Sequence, residues 1–322
     1  AEQHKSNASE WEQSSVSVMS AALRHDQSAL ELGLAHAQSN PRDVLVLLHI
    51  IGPFGLLAFS GRRDWREQNT RLVNEVRPHY ADDDWWLQAT CGFTYAESGE
   101  LDAAIAAAER SWQLRQTGNS AHSIAHALFE KAEHEAGFEF LDEWETSLGP
   151  RSDLWHHMTW HRALLMLETG KTDDLLAYYT DKLATAGPST PPLDTFADNV
   201  SLLWRLQLHG IEVSVDFWQT TDALRRQHFS EPGFVFADLH SAVVFSQRAE
   251  NERNNFASGS PTAAIANCVR AFAAFADKDY LSAVPMLEAA VEDALLFGGS
   301  NPQRRLLQET LDEAIVRSRQ NA

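Results

Sequence analysis

CGFTYAESGELDAAIAAAER, residues 91–110, holds two helical runs joined at one glycine. Apolar and small residues recur three and four apart on both sides of Gly99, with Cys91, Gly92 and Tyr95 before it and Leu101, Ala104 and Ala108 after it. That period lines one face of an α-helix, and small side chains on the two stripes let the helices of a hairpin approach closely. A second stretch has Ala163, Met166, Gly170 and Leu175 at the same relative places, and a third has Ala271, Ala274, Tyr280, Ala283 and Ala290. Gly99 and Gly170 lie 71 residues apart (170 − 99), about two repeats of 34 to 36, so another hairpin belongs between them, turning near His134 and Gly137.

Outward from this stretch the period stays helical nearly everywhere, and the alternating β-branched runs that mark strands are missing. The fold class is therefore all-α. The paired runs fit the tetratricopeptide pattern: hairpins that cannot bury their apolar faces alone stack into a superhelical solenoid with a concave central pocket. Residues 1–322 are read as a single such domain, with a tail over 1–12. Helices are predicted over 13–38, 42–60, 62–78, 83–98, 101–116, 120–136, 137–148, 153–169, 171–184, 193–209, 214–228, 233–249, 262–277, 279–297 and 301–319. Gly and Pro collect at the breaks, among them Gly61, Gly149-Pro150, Gly187 to Pro192 and Gly298-Gly299. The segment 248–261 (RAENERNNFASGSP) is polar and aperiodic, which predicts an exposed loop, either a connector or a lid.

Composition narrows the function classes. With 322 residues, 44% of them hydrophobic, the chain can bury a sizeable core. Its net charge of −19 repels phosphate backbones and anionic lipid heads, so neither nucleic acid nor membrane is expected as a partner. Two cysteines, Cys91 and Cys268, support neither a disulfide scaffold nor a zinc ribbon, and they read as buried thiols of a cytoplasmic protein. The first thirty residues lack the unbroken apolar stretch of a signal peptide, and the apolar run Val44 to Phe59 is too short and too interrupted to span a bilayer. That run is instead a dimer-forming candidate around Leu45 to Phe59. No phosphate-binding glycine loop, Gly-x-Ser-x-Gly elbow or His-Glu-x-x-His motif occurs.

The chemistry-bearing pattern is in the histidines, of which there are 14. His122 and His126 are four apart on one predicted helix, and His157 and His161 are four apart on the first helix of the next pair. That spacing puts two imidazoles on one helical face, one turn apart, able to address one cation or substrate. The following first helices carry Asp198, then Asp238 and His240. First helices line the inner curve of such an array, so the seven residues are expected to converge on one pocket. A buried cluster of this size must be internally paired, bind an ion or face water. Trp160 sits between the second pair and can wall the same pocket, while Trp155, Trp204 and Trp218 read as packing. His134, His156, His209 and His228 have no four-apart partner and read as surface or turn residues.

Several stretches at these positions resemble the tetratricopeptide repeat protein 38 family: SAHSIAHALFEKAEHEAGFEFL at 120–141, WHHMTWHRALLMLETGKTDDLLAYY at 155–179, LDTFADNVSLLWRLQLHGIEV at 193–213, FVFADLH at 234–240 and LFGGSNPQRRLLQETL at 296–311. The resemblance covers about the C-terminal two thirds. It implies an α-helical repeat fold and carries over onto His122, His126, His157, His161, Asp198, Asp238, His240, Ser300, Asn301, Gln303 and Arg304, without a particular activity. In the closing motif Gly298-Gly299 permits unusual backbone angles, and Ser300 or Asn301 can cap the last helix. Arg304 would then project a guanidinium that either anchors a substrate carboxylate or makes a structural ion pair.

Together these residues predict a small-molecule enzyme that works by His/Asp acid–base chemistry, hydrolysis or proton transfer. His122, His126, His157, His161, Asp198, Asp238 and His240 are the catalytic candidates, and Arg304, Gln303, Asn301 and Trp160 the substrate-binding ones. A divalent metal such as zinc, drawn to His122, His126, His157, His161 and Asp198, would supply an activated water. The alternative is a non-catalytic repeat scaffold that grips a peptide or protein partner in its concave groove.

Overall fold

The structure is a computed structural model that describes residues 8–148, 152–185 and 190–320. Seventeen α-helices and no strand occur among the described residues. The helices group into two compact units, residues 1–130 and 131–322. The expected break at Gly149-Pro150 and part of the one across Gly187 to Pro192 lie outside the described residues, as do residues 1–7 of the expected tail.

Unit one contains α1 (Glu10–Leu23), α2 (Ala29–Ser39), α3 (Val44–Ile50), α4 (Trp65–Val76), α5 (Trp85–Ser98), α6 (Leu101–Leu114) and α7 (Gly118–Glu130). The α5–α6 hairpin follows the sequence reading closely. Gly99 turns with φ 83°, a left-handed conformation that costs a glycine nothing. Gly92 sits where α6 and α7 press on α5: a Cβ there would lie 2.9 Å from the Ala108 nitrogen and against the Ser123 hydroxyl. Leu87, Ala96, Ala104, Ala108, Ala121 and Ala125 are buried around this contact.

The N-terminal third departs from the expected helices for local reasons. A capping box between Ser9 and Glu12 starts the first helix at Glu10, inside the span expected to be tail. The single helix expected over 13–38 is broken between α1 and α2. There His25 takes φ 55°, and the Asp26 carboxylate accepts the Ser28 amide and hydroxyl at 2.9 and 2.8 Å. The helix expected over 42–60 lasts only for α3. Pro53 cannot continue a helix, Gly52 takes φ 97°, and Gly55 packs so tightly on the Ile50 and Ile51 backbone that a side chain would collide. Leu45, Leu48 and Phe54 of this run are exposed, whereas Val46, Leu47 and Ile50 are buried.

Unit two contains α8 (His134–Ser147), α9 (Trp155–Glu168), α10 (Leu175–Lys182), α11 (Pro192–Leu208), α12 (Val215–His228), α13 (Val235–Ser246), α14 (Glu250–Gly259), α15 (Ala263–Ala276), α16 (Tyr280–Glu292) and α17 (Asn301–Gln320). Apart from α10 and α11, consecutive helices of the unit pack on one another, and α11 also packs on α9, α13 and α17. The turn before α8 falls at Ala132, φ 59°, a few residues earlier than expected. Trp160, Phe196, Val200, Leu203, Trp204, Phe236, Val243, Phe272 and Leu307 form the centre of the core, all nearly free of solvent. At about 1.5–3 kcal/mol per buried large apolar side chain, this centre dominates the unit's stability. The closing helix is tied in by Trp204 Nε1, which donates to Thr310 Oγ1 at 2.9 Å.

The segment 248–261 is not the loop that its composition suggests. Residues Glu250–Gly259 are α14, which buries none of its side chains fully. It is held from its flanks: Phe256 stacks on Phe245 with ring centres 4.2 Å apart, Arg248 reaches Glu252 at 2.7 Å, and Arg253 reaches Asp277 at 2.5 Å. A helix polar nearly all round leaves no period for sequence reading to find.

Candidate functional site

In unit two the site is built on α9, α11 and α13. His157 and His161 stand one turn apart on α9, and their Nε2 atoms approach to 3.2 Å. Behind His157, Nδ1 meets Asp198 Oδ2 of α11 at 2.9 Å. All three side chains are buried. An ionised carboxylate only accepts, so His157 Nδ1 carries the proton of that bond, and its Nε2 is turned toward His161. Burial disfavours the charged ring, but the charge of Asp198 and its hydrogen bond outweigh burial and raise the pKa of His157 above its ordinary value. Trp160 stacks on the His157 ring, with centres 5.3 Å apart and planes 16° from parallel, and meets the His161 ring edge-on. Trp160 therefore restrains the orientation of both imidazoles.

Two further residues join this group. His156, read as a surface residue, is buried, and burial lowers its pKa against the opposing pull of Asp198. Its burial follows from α9 being covered nearly all round, with eleven of its fourteen residues buried. Asp194, one turn before Asp198 on α11, has its pKa pushed up to about 6, first by burial and then by the Asp198 charge, with His157 opposing. The signal for Asp194 was present in LDTFAD, the same four-residue spacing that singled out the histidine pairs.

On α13, His240 and Asp238 are two residues apart and so face different directions. His240 Nδ1 donates to the Phe236 carbonyl at 2.8 Å, and burial, opposed by the Phe236 bond and by Asp198, lowers its pKa to about 4. It is a neutral imidazole under Asp198's influence. Asp238 instead accepts the Gly233 amide at 3.0 Å, and burial raises it to about 6. It closes the turn before α13, and its hydrogen bond is to that turn and not to the α9 histidines or Asp198.

The Gly-Gly-Ser-Asn-x-Gln-Arg motif is consumed by its own turn. Gln303 Oε1 accepts the Ser300 amide at 2.9 Å, Arg304 Nη1 donates to the Gly299 carbonyl, and Arg304 Nη2 donates to Asn301 Oδ1 at 2.5 Å. The guanidinium that does run beneath the site is Arg205. It is buried on α11, bonded to Ser201, to the Pro302 carbonyl at 2.7 Å and to Glu309 at 2.6 Å, with its cationic carbon 6.0 Å from the Trp160 ring centre.

Unit one carries the other histidine pair in similar geometry. His122 and His126 on α7 bring their Nε2 atoms to 3.0 Å, and Phe93 of α5 lies 4.5 Å from the His126 ring, edge-on. Behind His126, Nδ1 is 4.0 Å from the buried Glu97 Oε1. Each unit thus has two imidazole nitrogens aimed together; in unit two Asp198 hydrogen-bonds the histidine from behind, the arrangement that orients it for proton transfer or for metal, whereas Glu97 in unit one stands beyond hydrogen-bond distance of His126. Glu97 was missed because its neighbours in sequence, Tyr95 and Gly99, read only as packing.

No protein-family model matches the chain. Among the described residues no helix is long and apolar enough to cross a membrane.

Proposed function

We propose that this chain is a small-molecule enzyme that works by proton transfer, with Asp198, His157 and His161 as the relay. The observation that supports it is the continuous line from Asp198 Oδ2 through His157 Nδ1 and Nε2 to His161 Nε2, at 2.9 and 3.2 Å. In this scheme a substrate proton passes to His161 Nδ1, the His161 Nε2 proton passes to His157 Nε2, and the charge rests on His157 beside Asp198. The carboxylate stabilises the imidazolium without taking the proton. Neutral His240 and the acidic Asp194 tune this charge from the neighbouring turns. The helical pairs are proposed to stack as a tetratricopeptide-like array in a cytoplasmic protein, in keeping with the resemblance to the tetratricopeptide repeat protein 38 family.

A second reading is favoured by the paired Nε2 atoms, because two imidazoles that converge with a carboxylate behind one are also a ligand set. Within each unit one such pair, His122 and His126 in unit one and His157 and His161 in unit two, could hold a metal ion, and a divalent ion such as zinc would supply an activated water.

Elemental analysis of purified protein, before and after incubation with zinc, separates the two. A near-stoichiometric ion lost in His157→Ala supports the metal reading, and a metal-free protein that gains none supports the relay. A thermal-shift screen against small acids, esters, amides and lactones then tests the enzyme reading itself. Compounds that stabilise the wild type but not Asp198→Asn, with helicity retained, are expected. Ligand responses that survive both His157→Ala and Asp198→Asn would refute a small-molecule site here and leave a peptide-binding scaffold.

A further inference from the structure

Far along the chain from these residues, at the start of unit one, a nucleophile, a base and an acid are in line. Ser14 Oγ of α1 lies 2.8 Å from His36 Nδ1 of α2, and His36 Nε2 lies 3.0 Å from Asp43 Oδ2, the residue that caps α3. Asp43 is itself fixed twice more, by the Ser15 hydroxyl at 2.7 Å and by the Val46 amide at 3.4 Å. Burial pushes Asp43 upward, yet these hydrogen bonds and His36 outweigh it and hold its carboxyl below the ordinary value. The carboxylate is therefore ionised at neutral pH and accepts only.

The tautomer follows. His36 Nε2 must carry the proton it gives to Asp43, so in the neutral ring Nδ1 bears the lone pair and the Ser14 hydroxyl donates to it. That polarity activates a serine: the base faces the nucleophile and the acid holds the base. His36 is 1% exposed and Asp43 8%, so water does not compete for either bond, while Ser14 is half-buried. Asp43 forms part of the wall of an open cleft of about 390 Å³, together with Trp11, Arg42 and His79. Trp11 is on α1, one turn before Ser14 and Ser15, and 48% exposed, an apolar surface for an acyl chain beside the guanidinium of Arg42.

We infer that Ser14, His36 and Asp43 form a second reactive site, an acyl-accepting serine centre for small esters bound in the Trp11–Arg42 cleft. Ser14 Oγ adds to the ester carbonyl carbon while its proton moves to His36 Nδ1. The alkoxide leaves with that proton, which yields acyl-Ser14. Water, deprotonated by His36 in turn, adds to the acyl carbon and releases the carboxylic acid, restoring the serine hydroxyl.

The test is labelling of the full chain with a fluorophosphonate probe, with the modified peptide located by mass spectrometry. Labelling at Ser14 is expected, absent in Ser14→Ala and slowed by at least about 100-fold in His36→Gln, the usual minimum contribution of a positioned base. Circular dichroism checks that each variant folds. Should His36→Gln unfold, the wild type decides instead: labelling at Ser14 at least about 100-fold faster than at its neighbour Ser15, whose hydroxyl bonds Asp43 and not His36, supports the site, and equal labelling of the two overturns it. No label at Ser14, or undiminished labelling in a folded His36→Gln, also overturns it.

Discussion

His240 and Asp238, two residues apart on α13, are expected to oppose each other as the pH falls, and the size of the effect can be worked out. His240 has its pKa lowered to about 4 in the folded chain, against about 6.5 when unfolded. Between these values the unfolded state binds the extra proton, so stability is lost on acidification, by about 3.4 kcal/mol at 1.36 kcal/mol per unit. Asp238 is raised to about 6 from 3.8, so in nearly the same window the folded state binds the extra proton. Its contribution runs the other way, a gain of about 3 kcal/mol as the pH falls from 7 to 4. The two nearly cancel in the wild type.

Separating them exposes each slope. Asp238→Asn keeps an acceptor for the Gly233 amide and leaves only the His240 term, so it is expected to lose about 3 kcal/mol between pH 7 and 4 relative to the wild type. His240→Leu removes the Phe236 bond at a pH-independent cost of about 1 kcal/mol and leaves only the Asp238 term. It should gain about 3 kcal/mol over the same range relative to the wild type. Urea unfolding of the three proteins at four pH values between 4 and 7 measures the differences, in which titration of the other carboxylates cancels. Parallel curves for all three would refute the assignment of a neutral, solvent-free His240 and a protonation-prone Asp238, and with it the electrostatic setting proposed around Asp198.

Other consequences are shorter to state. Gly92→Ala should destabilise unit one by about 1–3 kcal/mol through overpacking against Ala108 and Ser123, read from chemical denaturation; a neutral substitution would mean that the α5–α6 hairpin is looser than described. Arg304→Met should cost about 1–3 kcal/mol by removing the bonds to the Gly299 carbonyl and to Asn301; weakened ligand binding at unchanged stability would instead make it the substrate anchor. Cys268, whose pKa burial pushes up to about 12, should resist iodoacetamide at pH 8 until the chain unfolds, as followed by mass spectrometry. Phe256→Ala should raise amide exchange across α14 well above that of α15, because ring stacking on Phe245 is its main apolar attachment.

What the amino-acid pattern could and could not reveal follows from where the determining forces act. Hairpins such as α5–α6 were legible because their determinants are local: a period of small residues, one glycine able to take positive φ, and strong helix formers on both sides. The histidine pairs were legible for a similar reason, since a four-residue spacing fixes two side chains on one face of a helix whatever packs around it. The link from His157 to Asp198, 41 residues apart, was anticipated only as two first helices facing one groove; its 2.9 Å contact is a product of packing. The failures have the same root. Helix α14 is held by Phe245, Asp277 and Glu252, none of which leaves a period in the segment's own sequence, so a polar stretch read as a loop. His156 looked like a surface residue because it has no four-apart histidine partner, yet most of α9 is buried. Ser14, His36 and Asp43 passed unnoticed since no spacing rule connects the middle of one helix, the last turn of the next and the cap of a third. Only the break at Asp26, where that carboxylate displaces a helix the pattern would have continued, folds α2 back so that His36 meets Ser14. A substitution that restores helix there, Asp26→Ala with His25→Ala, should therefore weaken the Ser14–His36 contact, and a probe reaction at Ser14 unaffected by it would show that the turn does not set the site.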